Sequence, residues 1–110
     1  MSERSWKRTE REIAAILGGH RVPVTGRARG DVPDVAHRWL SIEVKSRRAL
    51  PAWLLEAVAQ ARAAATEYQL PVAILHQEGS RHGLDLVVMR LSDFEDWFGG
   101  IDHGKEANTD

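Results

Sequence analysis

The sequence predicts an α/β fold, a single mixed β-sheet flanked by helices. Two observations predict it. Apolar spacings of helical and strand period alternate in the order helix, three strands, helix, two strands, helix. The chain of 110 residues has the length of one domain able to bury a core, and it has no cysteine to staple one.

The first helix is read over residues 6–17. Trp6, Glu10, Ile13 and Leu17 step by four, three and four residues, so they share a face, and Gly18-Gly19 stops the helix. A short strand over 21–25 carries Val22 and Val24 on one side. Residues 26–30 form a glycine loop bearing Arg27 and Arg29. A second short strand, 32–36, is entered through Pro33. In a third, 39–46, Leu40, Ile42 and Val44 alternate with Trp39, Ser41, Glu43 and Lys45.

Pro51 opens a long helix to residue 68, proline being tolerated in a first turn. Its stripe of Leu54, Ala57, Val58, Ala61, Ala65 and Tyr68 is mostly alanine, which lets the helix lie close to a sheet. Residues 71–76 read as a buried strand, 78–83 as a turn and 84–90 as another strand. Ser92 is expected to cap a last helix through residue 98. The tail 99–110 is polar and aperiodic, which predicts disorder beyond a domain of residues 1–98.

Net charge is −1, which by itself speaks against a nucleic-acid binder. The distribution changes that. Residues 1–48 hold eleven Lys and Arg against six Asp and Glu, whereas 49–110 hold four against ten. A basic half can meet a phosphate backbone while the acidic half faces away; solvated surface on both halves is the competing reading. No apolar run approaches the ~20 residues that span a membrane, and the first residues lead into no signal-type apolar core. With no cysteine, a cytoplasmic protein is expected.

Chemistry concentrates in the basic half. Glu43 and Lys45 are two apart on a strand, so both leave the face opposite Leu40, Ile42 and Val44. Asp34 lies nine residues before Glu43, and a hairpin of that length can set the two carboxylates side by side. Adjacent carboxylates repel, and a divalent cation relieves this. Oxygen ligands without His or Cys select a hard ion, Mg2+ or Mn2+, over zinc. A lysine beside such an ion can hold an attacking water or stabilise charge developing on a phosphate. Glu10 stands in the apolar stripe of the first helix, where a carboxylate belongs only if paired or bound to metal. Glu12 points away from that stripe, and the competing reading of Glu10 is exposure at a frayed helix start.

Taken in order, these residues resemble the PD-(D/E)XK nuclease superfamily, through Pro33-Asp34 and Glu43-Val44-Lys45. The likeness is closer to archaeal-type Holliday junction resolvases, phage-borne ones included. It runs through Glu10-Arg11-Glu12-Ile13, the basic glycine loop, Pro33-Asp34-Val35, Glu43-Val44-Lys45-Ser46-Arg47 and Gln60-Ala61, and spans residues 4–98. The resemblance implies a restriction-endonuclease-like core. It also implies a metal-dependent hydrolase, usually a homodimer, that nicks two strands of a four-way DNA junction in recombination and repair. Glu10, Asp34 and Glu43 would then bind Mg2+, Lys45 would assist the water or the phosphate, and Gln60 would support the site. If the protein is phage-encoded, its compartment is the host cytoplasm. Such resolvases are usually strongly basic, and this chain departs from that.

Several residues have competing readings. Asp31 can replace Asp34 as ligand, although it precedes the strand. Arg27, Arg29, Arg47 and Arg48 are placed to touch DNA phosphates, or are ordinary loop charge. Trp39 shares the face of Glu43 and can stack on a base or pack at a rim, while Trp53 and Trp97 read as core or subunit contacts. The five histidines lack ligand spacing; His20, His37 and His76 are read as structural, His82 and His103 as exposed. Three functions compete: a junction-selective endonuclease, a nuclease of the VRR type acting on flaps, nicks or ends, and a non-catalytic DNA-binding module. An intact Asp34, Glu43 and Lys45 argues against the last.

Overall fold

A computed structural model of the protein describes residues 5–21 and 34–99. The chain divides into two compact units, Met1–Arg48 and Ala49–Asp110. This boundary falls where the sequence changes from basic to acidic.

In the first unit, helix α1 (Ser5–Leu17) packs against strands β1 (His20–Arg21) and β2 (Val35–Ala36). Glu10 and Ala14 are its buried residues, one helical turn apart on the face that the apolar spacing predicts. Gly18 ends the helix with φ of +81°, and the Gly19 N–H donates to the Ala14 carbonyl at 2.8 Å, the bond that closes a helix C-terminus around a left-handed residue. Gly19 is needed for a second reason: a Cβ there would collide with the carbonyl oxygen of Ala36 and lie 2.9 Å from Val35 Cγ1. The helix end and β2 therefore touch through bare backbone. His37 reinforces the joint. Its Nε2 lies 2.7 Å from the Leu17 carbonyl, and its Nδ1 accepts the Trp39 N–H at 3.3 Å. These two bonds agree with the structural role expected of His37.

Strands β1 and β2 are antiparallel, with His20 opposite Ala36 and Arg21 opposite Val35. Val35 is wholly buried and bridges on its other side to Ile42. The Asp34 N–H donates to the Ile42 carbonyl at 3.0 Å. The strand expected over 39–46 is thus reduced to one bridge at Ile42. The expected strand residues 22–25 and 32–33, and the loop between them, lie outside the described residues.

In the second unit, Pro51 precedes helix α2 (Ala52–Ala64), and its carbonyl accepts the N–H groups of Leu54 and Leu55. Val58 is buried and Leu54, Ala57, Ala61 and Ala65 are half-buried, so the alanine-rich stripe is the inward face. The helix stops four residues before the expected end at 68. Thr66 and Gln69 bond each other reciprocally, backbone N–H to carbonyl and backbone N–H to side-chain oxygen, which draws the chain into a turn and leaves Tyr68 exposed. Strands β3 (Ala73–Leu75) and β4 (Leu86–Val88) form an antiparallel hairpin with Ala73 opposite Val88 and Leu75 opposite Leu86. Among the described residues, each unit holds one two-stranded sheet.

The last helix, α3 (Leu91–Phe94), starts one residue before Ser92 and runs into a π-helical turn at Glu95–Gly99, where the Phe94 and Phe98 rings sit 5.1 Å apart. Ser92 therefore caps nothing. The reason is Asp93, which turns inward onto Arg62 of α2 with Nε–Oδ2 of 2.8 Å and Nη2–Oδ1 of 3.4 Å. The tail from 100 lies outside the described residues. No helix among the described residues is long and apolar enough to cross a membrane.

The hydrogen bonds from Arg62 hold the Asp93 carboxyl below the ordinary carboxylate value, against the opposing effect of burial. A carboxylate whose pKa is lowered by folding stabilises the fold above its unfolded pKa of ~3.9, and that contribution is lost as pH falls through the folded value. Asp93→Asn is expected to lower Tm by several degrees at pH 7 and to flatten the fall of Tm with pH below ~4. Thermal unfolding of both proteins from pH 7 to 2 checks this; parallel curves would remove the ion pair from the account of stability.

Candidate active site

The antiparallel bridge from Val35 to Ile42 makes Asp34 and Glu43 the residues that flank it on the two facing segments. Residues that flank a bridged pair on facing segments point to the same side, the arrangement that would set the two carboxylates on one face. Asp34 is half-buried, and its Oδ2 accepts the Val44 N–H at 2.6 Å. The bond leaves the other carboxylate oxygen for another partner. Glu43 is exposed, and its Oε2 lies 3.9 Å from Lys45 Nζ, which is also exposed. At this exposure the Glu43–Lys45 pair contributes at most ~1 kcal/mol to stability. Glu43 and Lys45 thus lie side by side, and the Asp34 carboxylate is bonded to the backbone of Val44 between them.

Glu10 lies on the buried face of α1, the helix that packs against β2 in the same unit. That inward placement removes the reading of Glu10 as an exposed residue of a frayed helix. Glu10, Asp34 and Glu43 do not, however, converge into a three-carboxylate cluster. Asp34 and Glu43 fit a hard divalent cation by donor chemistry, all oxygen with one Asp34 oxygen uncommitted.

Gln60 is exposed on α2, in the second unit. Arg47 and Arg48 are exposed, and Arg47 bonds locally to the Ser46 carbonyl at 2.9 Å. Arg27, Arg29 and Asp31 lie outside the described residues. Trp39 is about half exposed, with its ring edge-on to His37 at 5.8 Å. Trp53 and Trp97, read as core or subunit contacts, are 61% and 48% exposed, which leaves out the core. An open cleft beside the end of α2, lined by Ala61, Ala65, Gln69, Leu70 and Val72, carries no titratable group.

Sequence reasoning missed one group. His76, His82 and Asp85 bring their ligand atoms within 4.8 Å of one another. His76 Nδ1 lies 2.6 Å from Asp85 Oδ1, His82 Nδ1 lies 3.0 Å from Asp85 Oδ2, and the two imidazoles are 4.6 Å apart. The reading of the histidines as lacking ligand spacing is corrected at these two positions. The available signal was the hairpin: the end of one expected strand at 76 and the start of the next at 84 must face each other across the turn. No family model, curated protein or solved structure matches the chain.

Asp34 also anchors the hairpin. Asp34→Ala removes the acceptor of the Val44 N–H and is expected to destabilise the fold by ~1–3 kcal/mol. Chemical denaturation measures this, and a change under ~0.5 kcal/mol would mean that the hairpin stands without the bond.

Proposed function

We propose that the chain is a Mg2+-dependent DNA endonuclease with a PD-(D/E)XK, restriction-endonuclease-like core, acting as a Holliday junction resolvase. What supports this reading is that Asp34 and Glu43 flank the bridge, with Lys45 beside Glu43, in residues that carry the motif. Asp34 and Glu43 would hold the ion, with Glu10 as a third ligand on the strength of the motif. Bound there, Mg2+ (or Mn2+) would supply Lewis-acid stabilisation of the phosphoryl oxygens and a more acidic water.

The chain's own residues do the rest. The Val44 N–H fixes the Asp34 carboxylate, so a ligand oxygen is oriented before any substrate arrives. Lys45, exposed and charged, donates to a phosphoryl oxygen as negative charge builds during attack of water at phosphorus and cleavage of one P–O bond. Arg27, Arg29, Arg47 and Arg48 would bind backbone phosphates, and Gln60 would support the site. Symmetric nicking of a two-fold junction needs two sites, hence a closed homodimer. A nuclease for flaps, nicks or ends has the same chemistry; the net charge of −1 favours it over the resolvase reading. A non-catalytic DNA-binding module would need none of the three residues.

Glu43→Gln is the cleanest test, because Glu43 is exposed and makes only the long contact to Lys45. It is expected to abolish Mg2+-dependent cleavage of a panel of junction, flap, nicked and linear DNA while binding and Tm persist. Lys45→Ala is expected to slow cleavage ~100-fold or more, the scale of one electrostatic or acid–base group. Near wild-type cleavage by either variant would sink the assignment, and the preferred substrate in the panel separates resolvase from the alternatives.

Assembly and salt dependence give a separate check. Junction affinity is expected to fall steeply with salt, and replacing Arg27 and Arg29 together by Ala to flatten that slope by up to about two units. Light scattering that shows a monomer both free and on a junction would exclude symmetric resolution.

A further inference from the structure

We infer that His76, His82 and Asp85 form a binding site for a divalent transition-metal ion of the zinc class, at the tip of the β3–β4 hairpin. The site is independent of the carboxylate pair and stands whether or not that pair cleaves DNA.

Strand register builds half of it. Leu75 opposite Leu86 is the last strand pair, so the next pair outward is His76 opposite Asp85. The intervening segment folds back tightly. The Ser80 N–H bonds the Gln77 carbonyl, Gly79 supplies a φ of +88°, and the N–H groups of Leu84 and Asp85 bond the carbonyls of Arg81 and His82. The last two bonds form a 3-10 turn over His82–Leu84, and residues three apart in such a turn lie on one side. His82 is thereby delivered to the same carboxylate that faces His76.

The donor chemistry identifies the ligand. Two imidazole nitrogens and one carboxylate oxygen are borderline donors, suited to Zn2+, Co2+, Ni2+ or Cu2+ and not to Mg2+ or Ca2+. Asp85 is 13% exposed and already contacts both rings, so the ligands are gathered before an ion arrives. His82 is 86% exposed, which leaves the outer side open to water as the remaining ligand. An ion there would tie the ends of the loop 77–84 together, adding a crosslink to a hairpin of only three strand pairs.

The untagged full chain, titrated with ZnCl2 by calorimetry, is expected to bind one equivalent with a micromolar dissociation constant. Tm should rise until that equivalent is filled. Millimolar Mg2+ should not compete. Imidazole NMR signals of His76 and His82 should shift, with those of His20, His37 and His103 unchanged. His82→Ala, at an exposed position that leaves the fold intact, and Asp85→Asn should each weaken binding at least ~10-fold, and His103→Ala should not. Zinc affinity equal in His82→Ala and wild type, shifts confined to other histidines, or no binding below about millimolar zinc would each overturn the site and leave a metal-free His–Asp hydrogen-bonded group.

Discussion

The first unit depends on the burial of one side chain. Val35 is wholly inaccessible, pairs with Arg21 on one side and bridges to Ile42 on the other. Strand side chains alternate between faces, so a slip of one residue would bring Val35 to the surface. The same slip would send Asp34 and Glu43 to opposite faces. The polar group is therefore aligned by an apolar constraint beside it, and the Asp34–Val44 bond then fixes one oxygen within that alignment.

The second unit is held differently. Its strands are short and its apolar burial sparse, with Val58 and Ala73 the buried hydrophobic residues among those described. The bidentate Arg62–Asp93 pair joins α2 to α3 and does directional work that a larger core would do by packing. In the helix that starts at Leu91, Asp93 faces Arg62 and Ser92 is left on the exposed side.

Much of this was legible in the sequence. The helix of 6–17 with Glu10 inward, the glycine stop and the alanine face of α2 all follow from local rules that read one face at a time. What escaped was set by partners distant along the chain. The end of α2 is decided by the Thr66–Gln69 turn, which outcompetes a stripe that continues in pattern to Tyr68. The Arg62–Asp93 pair spans thirty-one residues, and no periodicity announces it. No spacing along the chain marks His76 and His82 as a pair of ligands, because hairpin register brings His76 to Asp85 across it. The step from 45 to the segment around Gln60 crosses a boundary between units that one continuous pattern of elements did not reveal.

That boundary has a colloidal consequence. The isoelectric point near 6.5 describes a chain whose two compact halves carry opposite charge, so neutrality overall is not neutrality anywhere in particular. At low ionic strength the basic half of one molecule attracts the acidic half of the next, and the attraction fades as the Debye length shrinks toward ~8 Å at physiological salt. Such a molecule is expected to salt in, with its solubility minimum in dilute buffer near the isoelectric point. The same asymmetry leads one to expect retention by cation and anion exchangers alike at one pH, because each resin meets the half that suits it.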